Sequence, residues 1–515
     1  MESESTPNKN SGSNTGLKKT AMISVMAFAI MNVTTIVSLR GMPSQAEYGL
    51  TSIFYYLFAA IVFLIPVSLV AAELASTFPK KGGVFRWVGE AFGPRWGFAA
   101  IYYQWQAVVI WFPTVLIFAG VSLAYIWWPE SFDARLASNK LYMIVVLLAV
   151  YWVATLNTFR GMKSSSKLST LGGLFGTIIP GAILIILAII YLVMHKPVFL
   201  PLDKPFFPDF TDFNNLVLAA SIFLFFAGME MQAVHVEDMK NPTKNYPISI
   251  LIATVITIVI FILCTLAVGI IIPEKDINLT QTLLIAYRDF WASIGVPWMG
   301  NIMAIMLAFG VLGQVSVIIA GPSAGLLSVG KAGFLPPSLQ KTNKNGIQVP
   351  ILLFQGIFVT ILTFVMTVLP SVQSAYQILG QLATIIYLIM YIIMYVAALQ
   401  LRRTQPNKKR PFMIPGGKAG IWIVGILGLF GALAATIVSF IPPAQISTGS
   451  PAVYVGILIL GTVFFGAIPF IIYAFHKKEW KSKDNDFEPF DWEVEGRSPF
   501  EVSKLNADNQ PEAKK

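Results

Sequence analysis

Charge is scarce in this 515-residue chain. Asp, Glu, Lys and Arg make up 12% of it, about half of the roughly 25% that covers a soluble domain. That shortage excludes a fold wetted on all sides. Cysteine is nearly absent: Cys264 stands alone inside an apolar run, which excludes an internal disulfide and a paired-cysteine redox motif. The histidines, His195, His235 and His476, have no metal-ligand spacing, so no metal site is expected. The chain has no Gly-x4-Gly-Lys-Ser/Thr loop, the phosphate cradle that ATP hydrolysis of the P-loop type requires. No nucleophile–base pair stands out in the apolar runs. The chain is expected not to be an enzyme and to need no cofactor.

What is present is apolar. Hydrophobic residues make up 56% of the chain, and mean hydropathy is +0.69. Runs of about 20 apolar residues match the thickness of the hydrocarbon core. Such runs fall at roughly 20–42, 50–75, 96–127, 140–158, 170–194, 213–236, 247–272, 296–326, 349–369, 375–400, 419–441 and 452–476, which makes about twelve transmembrane helices. The net charge of +10 does not point to nucleic acid, because the basic residues sit in alternate short loops. Lys80, Lys81, Arg86 and Arg95 follow the second span; Arg160, Lys163 and Lys167 the fourth; Arg402, Arg403, Lys408, Lys409 and Arg410 the tenth. The opposite loops are mixed or uncharged. By the positive-inside rule both termini are expected on the cytoplasmic side of the membrane. The first run lacks a small-residue cleavage site and reads as a retained helix. Residues 1–16 are polar and low in complexity, 17–476 form the transmembrane domain, and 477–515 form a tail with no second folded domain.

Two spans carry polar groups or glycine where a lipid-facing helix would be leucine-rich. The first contains Asn32, Val33, Thr34, Thr35 and Ser38 before Arg40-Gly-Met-Pro43. The sixth contains Phe225-Phe-Ala-Gly-Met-Glu230. Interruption at depth is tolerated where it lines a cavity or is buried in protein. The two lie five spans apart, the spacing of a 5+5 inverted repeat, whose broken helices hold the substrate of many secondary transporters. Free N–H groups at one helix end suit a carboxylate, and free C=O groups at another suit an ammonium.

Glu73-Leu-Ala-Ser-Thr-Phe-Pro-Lys-Lys-Gly-Gly83 through Gly93-Pro-Arg-Trp-Gly97 resembles the second-to-third-helix loop of the amino acid–polyamine–organocation family. Phe226-Ala-Gly-Met-Glu230 with Asn241-Pro-Thr-Lys-Asn-Tyr-Pro247 is similar to that family's sixth-helix signature. Gly321-Pro-Ser-Ala-Gly325 and Arg410-Pro-Phe-Met-Ile-Pro-Gly416 fit the same pattern. The resemblance spans about residues 20 to 475 and is strongest to the bacterial glutamate/γ-aminobutyrate antiporters. It implies an all-α LeuT-like fold of ten core helices plus two C-terminal ones, working as an exchanger without ATP. The chain departs from that pattern in three places. Val33-Thr34-Thr35 replaces a glycine-rich break, Gln314 stands where the antiporters carry an acidic residue, and Arg40 is not part of the resemblance.

The candidate substrate-binding residues are Val33, Thr34, Thr35, Ser38, Arg40, Gly228, Glu230 and Gln314. The candidate gates are Trp111, Phe225, Phe226, Trp291 and Tyr387. Glu230 sits near mid-bilayer, where a carboxylate is costly unless paired or hydrated; it either lines the substrate path or caps loose backbone. Arg40 either forks onto a substrate carboxylate, snorkels to the surface, or pairs with Glu47. Gln104 and Gln106 join Gln314 as buried amides that can bind substrate or tie helices together. His235 reads as a neutral, hydrogen-bonded histidine or a pH sensor. Glu495-Gly-Arg-Ser-Pro-Phe500 is similar to the C-terminal plug of those antiporters, which implies a tail that occludes the cytoplasmic mouth at neutral pH. A plain disordered tail is the alternative.

The expected partners are the bilayer and small amino acids and amines, with a cytoplasmic amino-acid decarboxylase as a functional link, in a monomer or homodimer. The leading expectation is antiport of external glutamate for internal γ-aminobutyrate. The alternatives are an exchanger or proton-coupled permease for another amino acid or amine, and a transporter-like amino-acid receptor. A channel is disfavoured, because the polar positions cluster at two breaks instead of forming a stripe.

Overall fold

The computed structural model describes residues 24–503 apart from 81, 128, 162–167, 169–170, 202–204, 210–216, 232–238, 444–448 and 484–486. His235 lies outside the described residues. The described chain is helical. In order it has α1 (Val25–Ile36), α2 (Met42–Ala46), α3 (Thr51–Thr77), α4 (Val84–Phe92), α5 (Pro94–Ala124), α6 (Lys140–Phe159) and α7 (Leu171–Val193). Then come α8 (Val217–Phe226), α9 (Pro242–Ile271), α10 (Thr282–Ser293), α11 (Met299–Val329), α12 (Val349–Phe364), α13 (Val372–Thr404), α14 (Gly417–Ser439) and α15 (Pro451–Ala474). Among the described residues ten helices are long and apolar enough to cross a membrane, and an eleventh span counts if the bent pair α1/α2 is one. The remaining expected span is seen only as the short α8, with residues on both sides of it outside the described set.

Helix ends follow local chemistry. The Ser24 hydroxyl accepts the Ala27 N–H at 3.2 Å to start α1, and the Asn139 side chain accepts the Tyr142 N–H at 3.0 Å to start α6. Such caps satisfy donors that the helix cannot. Gly83 and Gly93, both at positive φ, bracket α4. The helix outsides are a belt of aliphatic side chains, with Leu141 and Leu460 each 72% exposed. Side chains of that kind over so many helices belong in hydrocarbon. α5 and α13 are central and mostly buried, whereas α14 and α15 are peripheral.

α7 and α11 cross almost backbone to backbone. A Cβ on Gly176 would come within 1.9 Å of the Gly310 Cα, and one on Gly172 within 2.6 Å of the Gly313 Cα. Small residues permit this approach, which in lipid must supply the packing that hydrophobicity cannot. The crossing seats α11, which carries Gln314, against the core. Where α3 and α13 end on the same face, Glu73 takes two hydrogen bonds from Arg402, both 2.7 Å, and one from the Ile414 N–H at 2.9 Å. On the opposite face, buried Arg288 and Asp133 pair at 2.6 Å.

Candidate functional site

The first span breaks between α1 and α2. Val37 and Ser38 are extended (ψ 119° and 118°), a 3-10 turn follows at Leu39–Gly41, and the two helical pieces are bent by 40°. The last turn of α1 is prepared for this. The Thr35 hydroxyl donates to the Met31 carbonyl at 2.8 Å, and Thr34 donates to Ile30 and Met31 at 3.0 Å. These bonds occupy carbonyls and loosen the helix. The Val37 N–H still donates to the Val33 carbonyl at 2.8 Å, and beyond it a helix end has carbonyls, and a helix start has N–H groups, that the helix itself does not pair.

The sixth span turns at the same level. α8 ends at Phe226, and Gly228 adopts φ +113°, a backbone conformation that glycine takes without steric cost. The turn is clamped by a buried polar cluster. The Gly228 N–H donates to Tyr391 Oη at 2.7 Å, and Tyr391 Oη donates to Glu230 Oε2 at 2.5 Å. Tyr387 Oη and Gln104 Nε2 each donate to Glu230 Oε1 at 2.8 Å. Glu230 is 2% exposed, and among the described residues it has no basic partner. Among the described residues, neutral donors supply the compensation that a buried carboxylate requires.

Between the two interruptions lies a cavity of about 50 Å³. Room of that kind holds several water-sized groups, since one water needs roughly 10–15 Å³ on the same measure. It is lined by Thr35, Ile36, Ser38 and Arg40 from the first span, and by Ala107, Val108 and Trp111 from α5. Leu224, Phe225, Ala227 and Met231 line it from α8 and its turn, Gln314 and Ile318 from α11, and Tyr387 from α13. The floor and walls are mostly apolar, with a guanidinium, an amide and hydroxyls as the polar handles. That is the usual composition of a small-molecule site.

The structure sorts the expected residues. Thr35, Ser38, Arg40, Gln314, Trp111, Phe225 and Tyr387 line the cavity. Val33 is buried in the core, and Thr34 packs over Gly173 of α7. Gly228 and Glu230 stand behind the cavity wall, joined to it through Tyr387. Phe226 points to Tyr56 and Phe261, and Trp291 lies on α10, away from the lining. Gln104 serves Glu230, and Gln106 is buried outside the lining. Tyr391 was not among the expected residues; nothing in its local sequence ties it to a glutamate 161 positions away.

The tail is docked. Phe487, Phe490 and Trp492 pack on α4, where the Phe490 ring fills the space beside Gly89 so closely that a Cβ there would be 2.4 Å from it. Arg86, fully buried, donates to the Glu488 and Pro489 carbonyls at 2.6 and 2.9 Å and pairs with Glu90 at 2.9 Å. Glu90 accepts the Asp491 N–H at 3.0 Å, and the Asp491 carboxylate pairs with Lys408. The Trp492 indole donates to the Gly89 carbonyl at 3.0 Å, and the Ser503 N–H to the Thr404 carbonyl at 2.7 Å. Burial and the neighbouring Asp491 charge push the Glu90 carboxyl up to about 7. Burial also pushes Asp491 upward, but Lys408, Lys80 and Arg86 outweigh it and hold that carboxyl below its ordinary value.

Comparison with known proteins agrees with this architecture. The family model for amino acid permease matches residues 22–465. An uncharacterized transporter of Legionella pneumophila is 37% identical over 463 residues, covering 90% of this chain and 99% of its own length. Two glutamate/gamma-aminobutyrate antiporters of Lactococcus lactis are 31% and 32% identical; they cover 88% and 91% of this chain and 91% and 93% of their own. With a family model matching most of its length and transporters matching it nearly end to end, the chain belongs to the amino acid permease family of membrane transporters.

Proposed function

We propose that this transporter is a secondary active antiporter that exchanges extracellular glutamate for intracellular γ-aminobutyrate by alternating access. The observation that carries the reading is the cavity between the break of the first span and the turn of the sixth, with a buried cation and amide among apolar walls. A site placed at two interruptions suits a LeuT-like inverted repeat that rocks about a fixed ligand. The two antiporter relatives support the substrate pair. The proton logic supports it too: decarboxylation inside consumes a proton, and swapping product for substrate exports it, which links the carrier to a cytoplasmic decarboxylase. Tyr387 donates to Glu230 while lining the cavity. It can therefore pass ligand-induced movement to the Gly228 turn.

The orientation that goes with this reading puts the tail face in the cytoplasm, where its basic loops belong. There the tail, docked on α4 and on the end of α13, acts as a plug of the cytoplasmic mouth. An exchanger of another amino acid is the second reading, favoured by an amide, Gln314, in the cavity wall. A diamine is disfavoured by Arg40 in the same wall.

Counterflow in proteoliposomes tests the proposal. Liposomes loaded with γ-aminobutyrate and offered labelled glutamate take up label faster than empty ones. Uptake that ignores the internal solute defeats the exchange reading.

A further inference from the structure

Among the described residues, every buried or half-buried arginine but one pairs with an acid. Arg86 pairs with Glu90 at 2.9 Å, Arg288 with Asp133 at 2.6 Å, and Arg402 with Glu73 at 2.7 Å. Arg40 is 4% exposed, and among the described residues no carboxylate, Glu47 included, lies within ion-pairing distance of it. It neither snorkels nor pairs. The guanidinium carbon sits 4.6 Å from the Trp111 ring centroid, a cation–π shelf that fixes its plane. Nη1 donates to Ser38 Oγ at 3.1 Å, the Tyr376 hydroxyl lies beside the group, and Nε has no partner. Its place is the wall between two cavities. One is the central cavity, and the other is a smaller polar one reached past Tyr376, Gln377 and Gln381. An arginine does not lose its proton in a protein, and an uncompensated buried charge is strongly destabilising. Among the described residues nothing supplies the compensating anion, and the two cavities are where a ligand's anion can meet the guanidinium.

Resting on the exchange reading above, we infer that Arg40 is the receptor for the substrate's ω-carboxylate, the carboxylate that both exchange partners keep. Decarboxylation of an α-amino dicarboxylic acid removes the α-carboxyl group and leaves the amine and the distal carboxylate. A site that must accept both the acid and its product can rely only on those two groups. The guanidinium fork matches a carboxylate with two parallel N–H donors, and Trp111 holds it pre-aimed. The same placement accounts for obligatory exchange. With a bound ω-carboxylate the rocking carrier moves a neutralised pair, whereas an empty carrier moves a bare buried cation. Return without cargo is slow for that reason.

The test compares each acid with its amide. In liposomes carrying the full-length protein, glutamate and γ-aminobutyrate should compete for labelled glutamate uptake at least about 100-fold better than glutamine and 4-aminobutanamide. Arg40→Gln should abolish that preference, and Arg40→Lys should keep part of it. Because Arg40→Gln can fail to fold, the wild-type protein is also assayed by ligand-induced thermal shift with the same compounds and with chloride alone. Stabilisation by the ω-carboxylates and not by their amides supports the inference. Equal stabilisation by the amides, or stabilisation by chloride that the carboxylates do not exceed, overturns it. The two layers separate: wild-type exchange that is indifferent to the ω-carboxylate sinks the role of Arg40 alone. Acid-selective uptake that ignores internal solute sinks exchange alone.

Discussion

Phe490→Ala should release the tail. The ring is 3% exposed and touches both sides of the docking contact. It lies 5.6 Å from the Phe85 ring and 5.3 Å below the Arg86 guanidinium on the membrane domain, and 5.5 Å from Phe487 and Trp492 within the tail. Truncating a core phenylalanine costs about 3–5 kcal/mol. Part of that packing survives undocking within the tail, so the lower end, about 3 kcal/mol, applies to docking. This is roughly a 100-fold rise in the undocked fraction, at about 1.4 kcal/mol per factor of ten. Limited trypsin digestion reads it. Arg497 is held by Glu495 at 2.6 Å and by the Glu501 carbonyl at 2.9 Å, and cleavage after it tracks the open population when reclosure outpaces the protease. The variant leaves the spans untouched, so the rest of the chain should keep its melting temperature. A cleavage rate within a few fold of wild type would refute the energetic reading of this contact.

Tail docking should also depend on pH, in a direction set by Glu90. Its docked value of about 7 lies above the value it regains when the tail lifts and water reaches it. The Glu90 contribution to docking is therefore largest below its ordinary value and is lost as pH rises through 7, at most tenfold per unit, a sense opposite to a plug that seats at neutral pH and lifts in acid. Asp491, held low by Lys408, acts in the opposite sense: its contribution is present above its ordinary value and disappears in stronger acid. Glu90→Gln should remove the weakening between pH 5 and about 8 and keep the loss in acid; digestion across pH checks both. At the α7–α11 crossing, Gly176→Ala should lower the melting temperature in detergent. Its Cβ meets the Gly310 backbone, and overpacking of a tight contact costs about 1–3 kcal/mol or more. Gly466→Ala, which meets nothing within 4 Å, should leave it unchanged.

Much of the fold was legible because hydrocarbon imposes one rule on every span. The apolar runs, the loop charges and the polar interruptions of the first and sixth spans are written locally. Which face of an interrupted helix meets the cavity is not, because rotation is set by neighbours. Thr35 lines the cavity and adjacent Thr34 packs on α7; Phe225 lines it and adjacent Phe226 turns to Tyr56 of α3. The clamp on Glu230 depends on tyrosines of α13, a contact no local pattern announces. The tail did carry a signal: Phe487, Phe490 and Trp492 alternate with Glu488 and Asp491, more apolar surface than a freely solvated segment carries. Its basic partners Lys80, Arg86 and Lys408 also stand in the loops read as facing it.

Substrate bound between the two interruptions should shield the residues there from a thiol reagent, and site-directed labelling reads this. Cys264 is the chain's sole cysteine and is fully buried, so a cysteine introduced as Thr35→Cys can be followed with a small thiol reagent. Saturating glutamate or γ-aminobutyrate should slow its modification, and a cysteine introduced as Ser293→Cys at the end of α10 should be modified at the same rate with or without them. Modification of Thr35→Cys that proceeds equally fast in the presence of either compound, under conditions where both are transported, would contradict it.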